Sequence, residues 1–284
     1  MRIAALQMVS TPEVARNLEA ARRLIAQAAT QGAQLVALPE YFCLMGRTDR
    51  DKLEVAEAPM GPVGAEAPIG SSGSTVGGPI QQALSAAARA HGVWLIGGTL
   101  PLRCDDPQRV RNSSCVFAPD GAMAARYDKM HLFGLDNGRE RYDEARVLQA
   151  GAAPVAVQCG ALRVGLSVCY DLRFPELYRA LMNPPCDLIA VPSAFTYTTG
   201  SAHWELLLRA RAVENQTYVI APAQGGTHEN ARRTWGHSMI VDPWGEVLGV
   251  LAEGEGVVIA EVDSARLAAV RKLLPALEHR RIAS

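Results

Sequence analysis

The sequence predicts an α/β protein in which helices and mixed β-sheets are layered in a single domain, residues 1–284. Short apolar strand signals alternate with helical signals along most of the chain, which is typical of parallel strands joined by helices. Turn signals at 119–121 and 242–245 lie between strand-like runs and indicate antiparallel hairpins. No linker or short-period repeat divides the chain, so one large domain is expected.

The amino-terminal half begins with a strand–helix–strand unit. Residues 2–8 have the pattern of a strand, and Thr11-Pro12-Glu13 supplies an N-cap, a first-turn proline and a carboxylate near the positive end of the helix dipole. Apolar residues then recur at helical spacing until Gly32 ends the run. The other elements predicted in this half are a strand at 34–38, a surface loop at 59–79, a helix at 79–91, a strand at 93–99 and two strands within 112–128.

The carboxyl-terminal half repeats this alternation and then ends with antiparallel strands. A hairpin around Gly160 leads into a strand at 162–168. The elements predicted after it are a helix at 175–183, a strand at 187–191, a helix at 202–214, strands at 217–222, 236–241, 246–251 and 256–262, and a closing helix at 263–274.

Charge and composition exclude several classes of protein. Lys and Arg total 28 against 29 Asp and Glu, a net charge of −1, so no strong field favours nucleic acid or an anionic membrane, and a small molecule is the expected partner. No stretch approaches the ~20 apolar residues of a membrane span, and the amino terminus is typical of a strand rather than a signal peptide, which predicts a cytoplasmic protein. The cysteines form no CxxC pair, and neither the dinucleotide-binding nor the P-loop motif is present, so no metal or cofactor is expected.

Cys169 lies where a predicted strand meets a predicted helix. It follows the apolar run 166–168 and precedes Pro175, which is well placed in the first turn of a helix. Backbone N–H groups and the positive end of a helix favour a thiolate at such an elbow and can hold an oxyanion. Cys169 is therefore a candidate nucleophile, and a small buried core cysteine is the alternative.

Two charged residues occupy comparable strand ends. Glu40 follows a buried strand that ends at Leu38, so it is a candidate for a desolvated general base; a loop glutamate paired with arginine is the alternative. Lys129 ends the second strand of a hairpin, in a chain where only three of the 28 basic residues are lysine. Lys129 is a candidate point charge beside a developing oxyanion, and a solvated strand-end lysine is the alternative. His131, in the same segment, is interpreted as structural.

Three segments occur in order along the chain: LPEYF (38–42), YDKMHLFG (127–134) and SVCYDLRFPELYR (167–179). Together they resemble the nitrilase superfamily of carbon–nitrogen hydrolases. The resemblance extends over nearly the whole chain, because the first strand, residues 192–224 and residues 235–245 also match. Residues 195–205 and 233–245 are most similar to a branch whose characteristic activity is hydrolysis of deaminated glutathione.

The resemblance implies a four-layer α-β-β-α sandwich with two mixed β-sheets and an enzyme that hydrolyses a small-molecule amide without a cofactor. Members of the family are typically dimers or higher homo-oligomers. The carboxyl-terminal segment, about 263–281, is a candidate subunit contact through its apolar residues Leu267, Val270, Leu273 and Leu274.

The resemblance also assigns roles to residues of the three motifs. It implies that Glu40 is the base, Lys129 the cation on the oxyanion side and Cys169 the nucleophile. A second glutamate is usual after the lysine segment, and Glu144 stands at the matching place, ahead of the other candidate, Glu140.

The resulting hypothesis is amide hydrolysis through a covalent thioester. Glu40 takes the thiol proton of Cys169, and the sulfur attacks the amide carbonyl. Lys129 and the backbone N–H of Tyr170 stabilise the oxyanion that forms. Glu40 then protonates the departing ammonia and activates the water that releases the acid.

Arg173 is a candidate for binding the substrate. It lies at the start of a predicted helix, where the helix dipole disfavours a cation, so an anionic partner is expected. That partner is either a substrate carboxylate or a salt bridge to Asp171 or Glu176. The resemblance implies that Arg173 and Thr199 meet the acid group of the substrate and that Phe195 lines the site.

Other readings of the same residues remain open. An omega-amidase acting on α-ketoglutaramate, a broader aliphatic amidase and a true nitrilase share the triad, and a non-catalytic binding protein could retain the fold. A Cys–His hydrolase would have to use His131, His203 or His237, none of which has an evident orienting partner in the sequence. Two features depart from the branch: Gly134 replaces an acidic residue that is common there, and the Gly/Ser-rich segment 61–79 is expanded. Both would change the shape of the pocket and so the identity of the substrate, but not the chemistry.

Overall fold

The computed structural model describes residues 1–60, 77–138 and 141–282. The loop predicted at 59–79 falls mostly on residues 61–76, which lie outside the described residues, as does Glu140. The helices are α1 (Val14–Thr30), α2 (Asp51–Glu54), α3 (Pro79–His91), α4 (Pro175–Ala180), α5 (Tyr197–Asn215) and α6 (Ser264–Leu273), with 3-10 turns at Glu144–Arg146 and Cys169–Arg173.

The strands form two large sheets and two short hairpins. In chain order they are β1 (Arg2–Gln7), β2 (Leu35–Ala37), β3 (Trp94–Ile96), β4 (Leu100–Arg103), β5 (Val110–Phe117), β6 (Met123–Asp128), β7 (Gly134–Asp136), β8 (Arg141–Asp143), β9 (Val155–Cys159), β10 (Leu162–Leu166), β11 (Leu188–Ala190), β12 (Tyr218–Ala221), β13 (Gly225–Thr227), β14 (Arg233–Trp235), β15 (Ser238–Val241), β16 (Val247–Leu251) and β17 (Gly256–Glu261).

Each large sheet has parallel strands at its centre. One sheet has seven strands in the order β17-β1-β2-β3-β5-β4, with β6 also paired to β5, and the other has six in the order β16-β15-β12-β11-β10-β9. The strands β1-β2-β3 and β10-β11-β12 run parallel, whereas β17, β9 and β15 pair antiparallel at their flanks. The prediction of mixed sheets is confirmed.

Both faces of β1 are buried, and successive side chains point to opposite faces of the strand. Ile3 and Ala5 pack into the core shared with the second sheet, whereas Ala4 and Leu6 pack with the apolar faces of α1 and α3. The second sheet is covered in turn by α4 and α5, whose Trp204 is fully buried. The order of layers is helix, sheet, sheet, helix, which confirms the α-β-β-α sandwich.

Two helices begin at residues other than those predicted. The prediction that Thr11 caps α1 was wrong: the helix begins at Val14, and the amide of Asn17 holds the backbone N–H and C=O of Thr11 (2.8 and 2.7 Å) in the loop before it. Helix α5 begins at Tyr197, ahead of the predicted residue 202, because the hydroxyl of Thr196 accepts the N–H of Thr199 and caps the helix there.

The carboxyl-terminal helix is shorter than the segment 263–281. It ends at Leu273, two residues before Pro275, since proline cannot continue a helix. Leu267 and Val270 are buried within the chain, so of the four residues expected at subunit contacts only Leu273 and Leu274 are exposed. None of the helices in the described ranges is long and apolar enough to cross a membrane.

Candidate active site

The three residues predicted to form the catalytic triad, one from each motif, all follow strands. Glu40 lies beyond β2, Lys129 directly after β6, and Cys169 beyond β10. Their side chains meet although the residues are far apart in sequence: the Lys129 ammonium donates to the Glu40 carboxylate, and the Cys169 thiol lies close enough to that carboxylate for its charge to raise the thiol pKa. The fold therefore brings an ammonium, a carboxylate and a thiol into one cluster.

Cys169 occupies a strained turn between a strand and a helix. It begins the 3-10 turn that follows β10, and its φ of 50° lies in the left-handed region that residues with a side chain rarely adopt. Its N–H donates to the carbonyl of Pro192 (3.0 Å), which fixes the turn, and Pro175 begins α4 just beyond it. This turn is the strand-to-helix elbow predicted from the sequence.

Glu40 is buried and held by three donors. One carboxylate oxygen accepts from the Lys129 ammonium and from the side-chain amide of Asn112, both at 2.9 Å. The other accepts from the backbone N–H of Ala194 (3.0 Å), and the side chain of Gln224 donates to the Glu40 carbonyl (3.1 Å). The carboxylate is therefore fixed beside the thiol, with no arginine as its partner among these contacts.

Lys129 is enclosed between two carboxylates. Its ammonium, none of which is accessible to solvent, lies 2.9 Å from Glu40 and 2.8 Å from Glu144. Glu144 also accepts from the Tyr41 hydroxyl and from the backbone N–H of Phe133, each at 2.7 Å. A solvated strand-end lysine is excluded by this burial, and Glu144 fixes the ammonium from the side opposite its bond with Glu40.

The charges of the cluster determine its protonation. Burial and the Glu40 charge raise the pKa of the Cys169 thiol well above its usual value, against the lowering effect of Lys129. Burial by itself would lower the pKa of Lys129, but the carboxylates of Glu144 and Glu40 raise it overall. Burial would raise the pKa of Glu144, yet Lys129 lowers it. The resting thiol is thus protonated, and an attack by sulfur needs a base at hand.

A cavity of about 280 Å³ opens onto this cluster. Its lining contains all the predicted site residues except the buried Lys129: Glu40, Glu144, Cys169, Tyr170, Arg173, Phe195 and Thr199. The remaining lining residues, which the sequence did not single out, are Phe133, Ala194, Thr196 and Arg232. A small molecule in this cavity would touch the thiol and its carboxylate at once.

Arg173 faces the cavity without a protein carboxylate as partner. Within the described ranges no salt bridge joins it to Asp171 or Glu176, and its recorded polar contact is with a ring nitrogen of His203 (3.3 Å). Its guanidinium lies over the rings of Tyr170 and Phe195, 5.8 and 5.5 Å from their centroids. The salt bridge to Asp171 or Glu176, one of the two partners expected for Arg173, is therefore not formed among the described residues.

Asp171 binds partners other than Arg173, with which a salt bridge was one expected alternative. It is fully buried and accepts from the Tyr127 hydroxyl (2.7 Å), from the backbone N–H of Val168 (2.8 Å) and from the backbone N–H of His131 (3.0 Å). Its carboxylate also lies 2.7 Å from Nδ1 of His131. These bonds join the Cys169 turn to the segment that carries Lys129.

The histidines lie outside the cavity lining. His131 stacks on Phe174 with 3.8 Å between ring centroids, and His237 stacks on Trp235 at 4.1 Å. His203 contacts Arg173 from the exposed side of the site. A Cys–His hydrolase is therefore not supported, and the structural interpretation of His131 agrees with its bonds to Asp171.

The contacts to Glu40 that no sequence pattern marks depend on how strands and loops pack together. Asn112 reaches Glu40 because β5 runs beside the end of β6, where the Asn112 carbonyl accepts the N–H of Lys129 (3.0 Å). The Ala194 contact uses a backbone N–H, which no side-chain pattern marks. Among the described residues, no group of three or more His, Cys, Asp and Glu is arranged to hold a metal ion.

Comparisons with known proteins agree with this geometry. A family model described as carbon-nitrogen hydrolase matches residues 2–272. The chain is 40% identical to a deaminated glutathione amidase of Synechocystis over 98% of this chain and 97% of that protein, and 36% identical to an omega-amidase of Xenopus tropicalis over 99% and 95%. Saccharomyces cerevisiae Nit3, a member of branch 10 of the nitrilase superfamily, superposes with a TM-score of 0.85 at 29% identity, over 99% of this chain and 97% of that one.

Proposed function

The chain belongs to the carbon–nitrogen hydrolase family, and we propose that it hydrolyses a small carboxylate-bearing amide through a thioester on Cys169. As a member it is a hydrolase of carbon–nitrogen bonds other than peptide bonds. The observation that carries the proposal is the placement of a thiol, its carboxylate neighbour and a buried ammonium around one small cavity.

The first half of the reaction forms the thioester. Glu40, fixed by three N–H donors, takes the thiol proton while the sulfur of Cys169 attacks the amide carbonyl. The Lys129 ammonium and the backbone N–H of Tyr170 stabilise the oxyanion of the tetrahedral intermediate. The C–N bond then breaks, and Glu40 gives its proton to the departing nitrogen, which leaves as ammonia from a primary amide.

The second half releases the acid. A water molecule takes the place of the departed amine, and Glu40 removes a proton from it as its oxygen attacks the thioester carbonyl. The C–S bond breaks, the carboxylic acid leaves and the thiol of Cys169 is regenerated. Glu144 takes no proton in this scheme; it holds Lys129 in place through its bonds to Tyr41 and Phe133.

Deaminated glutathione is the substrate that we propose first. A relative with that activity in its name is 40% identical over nearly the full chain, and Arg173, which forms no salt bridge among the described residues, offers its guanidinium to an acid group of the substrate. Thr199 and Phe195 complete that side of the cavity. The alternative is an omega-amidase acting on α-ketoglutaramate, which the small cavity and the 36% identical omega-amidase favour.

The experiment measures products from four compounds: deaminated glutathione, α-ketoglutaramate, a neutral aliphatic amide and a nitrile. We expect hydrolysis of the acidic amides, and loss of at least about a thousandfold in rate for Cys169→Ala, since the covalent route is then closed. The ratio between the first two compounds assigns the substrate. A non-catalytic binding protein would instead yield no product from any of them and no acyl adduct in an intact-mass spectrum.

We also propose that the enzyme is a cytoplasmic homodimer or higher homo-oligomer. All six cysteines are free thiols, which suits a reducing compartment. Leu206 of α5 and Leu273 at the end of α6 are 68% and 73% exposed, and contact with a second subunit would cover such apolar surface. Sedimentation of the purified chain measures the number of subunits.

A further inference from the structure

A second, larger cavity adjoins the catalytic one. It has a volume of about 1050 Å³ and shares Arg232 with the catalytic cavity. Its lining comes mainly from the loop after Tyr41, from β8 and from the turn before β14. Four of its lining residues are cationic, Arg47, Lys52, Arg141 and Arg232, against one carboxylate, Asp49. The space therefore has a net positive charge.

Two of these cations have no carboxylate within salt-bridge distance among the described residues. Lys52 pairs with Asp49 at 2.8 Å, and Arg141 lies 3.9 Å from the carboxylate of Asp136. Within the described part of the chain, neither Arg47 nor Arg232 forms a salt bridge. A cation left without a counter-ion in a partly enclosed site favours an anionic ligand.

Arg232 is held rigidly at the boundary between the two cavities. Its guanidinium donates to the carbonyl of Ala194 (3.1 Å) and lies 5.3 Å from the ring centroid of Tyr142, and its Nε is buried without a hydrogen-bond partner. Ala194 in turn donates its backbone N–H to Glu40. One residue, Ala194, thus separates Arg232 from the proposed base, and Arg232 is oriented before any ligand binds.

We propose that the second cavity binds the leaving amine of the substrate through a carboxylate on that amine, held by Arg232 and Arg47. The proposal rests on the amidase function above and specifies its substrate class. The catalytic cavity, at about 280 Å³, is much the smaller of the two, since the second cavity has about 1050 Å³, so it suits the acyl portion alone. Arg173 would hold the acid group of the acyl portion, and Arg232 the acid group across the scissile bond.

This assignment fits the chemistry of the two substrates. Deaminated glutathione has two amide bonds, and its terminal carboxylate lies on the nitrogen side of both. Cleavage of either bond therefore releases an amine that carries an acid group. The C–S bond forms first, the amide C–N bond of the tetrahedral intermediate then breaks, the amine leaves with the proton from Glu40, and water later cleaves the thioester. α-Ketoglutaramate releases only ammonia and places nothing in the second cavity.

The test compares deaminated glutathione with α-ketoglutaramate in Arg47→Gln and Arg232→Gln. We expect kcat/KM for deaminated glutathione, divided by kcat/KM for α-ketoglutaramate, to fall about tenfold or more in each variant. The reason is that a charge-assisted hydrogen bond to the carboxylate of the leaving amine is lost. Arg232→Lys, which keeps the charge, should recover part of the ratio. The matched control is Arg50→Gln, since Arg50 is an exposed arginine of the same loop that bonds Gln108 outside the cavity; there the ratio should stay within about twofold.

A second arm replaces the terminal carboxylate of deaminated glutathione with a carboxamide. In the wild-type enzyme this analogue should lose about as much kcat/KM as the arginine variants do, and Arg47→Gln should add little to that loss. Equal rates for carboxylate and carboxamide, or ratios unchanged in both glutamine variants, would overturn the subsite while leaving the amidase proposal standing. Hydrolysis of neither compound by the wild type would overturn both proposals.

Discussion

The Glu40 carboxylate acts on Cys169 in two opposite ways. In the proposed mechanism it is the base that the thiol needs, and its own negative charge keeps the thiol protonated by raising the pKa of Cys169. The Lys129 ammonium, which binds Glu40 at 2.9 Å, offsets part of that effect. The proposed mechanism therefore forms thiolate only as the proton moves to Glu40, when the substrate carbonyl is there to receive the sulfur.

Glu40→Gln separates these two effects. We expect turnover to fall by about a thousandfold or more because no base remains, while the protein stays folded. The pKa of Cys169 should fall in the same variant, because the negative charge beside the thiol is gone and Lys129 remains. The measurement is the rate of alkylation by iodoacetamide against pH, with Cys169→Ala to subtract labelling at other cysteines. The midpoint should move to lower pH; a midpoint at higher pH, or near-normal turnover, would contradict the assignment.

Arg173→Lys tests the grip on the acid group of the substrate. Lysine keeps the charge but cannot bind a carboxylate through two parallel N–H bonds, and it stacks less well on Tyr170 and Phe195. We expect KM for α-ketoglutaramate to rise about tenfold and KM for a neutral amide of the same length to change much less. Steady-state kinetics with both compounds decide the question, since equal changes would mean that Arg173 only supports the cavity wall.

The turn that carries Cys169 depends on a neighbouring segment for its shape. Asp171, within the turn, accepts from Tyr127 and His131, which stand on either side of Lys129 in the chain. The nucleophile and the cation are thus fixed relative to each other by one buried carboxylate. The left-handed backbone of Cys169 is maintained by these bonds and by the N–H bond to Pro192.

Tyr127→Phe should weaken this link. It removes a buried hydroxyl that donates to the Asp171 carboxylate at 2.7 Å, so the free energy of unfolding should fall by about 1.5–3 kcal/mol. Urea denaturation at neutral pH measures this. The control is Tyr178→Phe, which removes a buried hydroxyl that donates to the uncharged hydroxyl of Ser167 (3.0 Å) and should cost about 0.5–1.5 kcal/mol. Unchanged stability in Tyr127→Phe would show that Asp171 does not depend on this donor.

Local pattern was sufficient to predict most of the architecture. Helix α3 has the predicted bounds, 79–91, because its first-turn proline and its terminal glycine act locally, and the hairpin strands follow from their turn residues. The motif residues also lie where their strands end. The start of α1 was wrong because a side chain six positions along the chain, Asn17, competes for Thr11.

The contacts that complete the site could not be predicted in this way. Asn112 and Ala194 reach Glu40 through strand pairing and loop packing, and Arg232 arrives from a turn far along the chain. The salt bridge of Arg173 to Asp171, one of the alternatives that the sequence left open, is not formed, because Asp171 binds Tyr127 on the strand packed against it and the sequence shows only its neighbours along the chain. Such contacts become visible only when the two sheets are assembled.

The scarcity of lysine has a practical consequence for handling the protein. Lys129 is sealed among carboxylates, and Lys52 is nearly covered and paired with Asp49, whereas Lys272 near the end of α6 is exposed. Of the three lysines, a reagent that acylates amines should therefore modify Lys272 first, and Lys272 lies outside the lining of the catalytic cavity. A dye or a solid support coupled through that amine would be attached in a single orientation, with the route to Cys169 left clear.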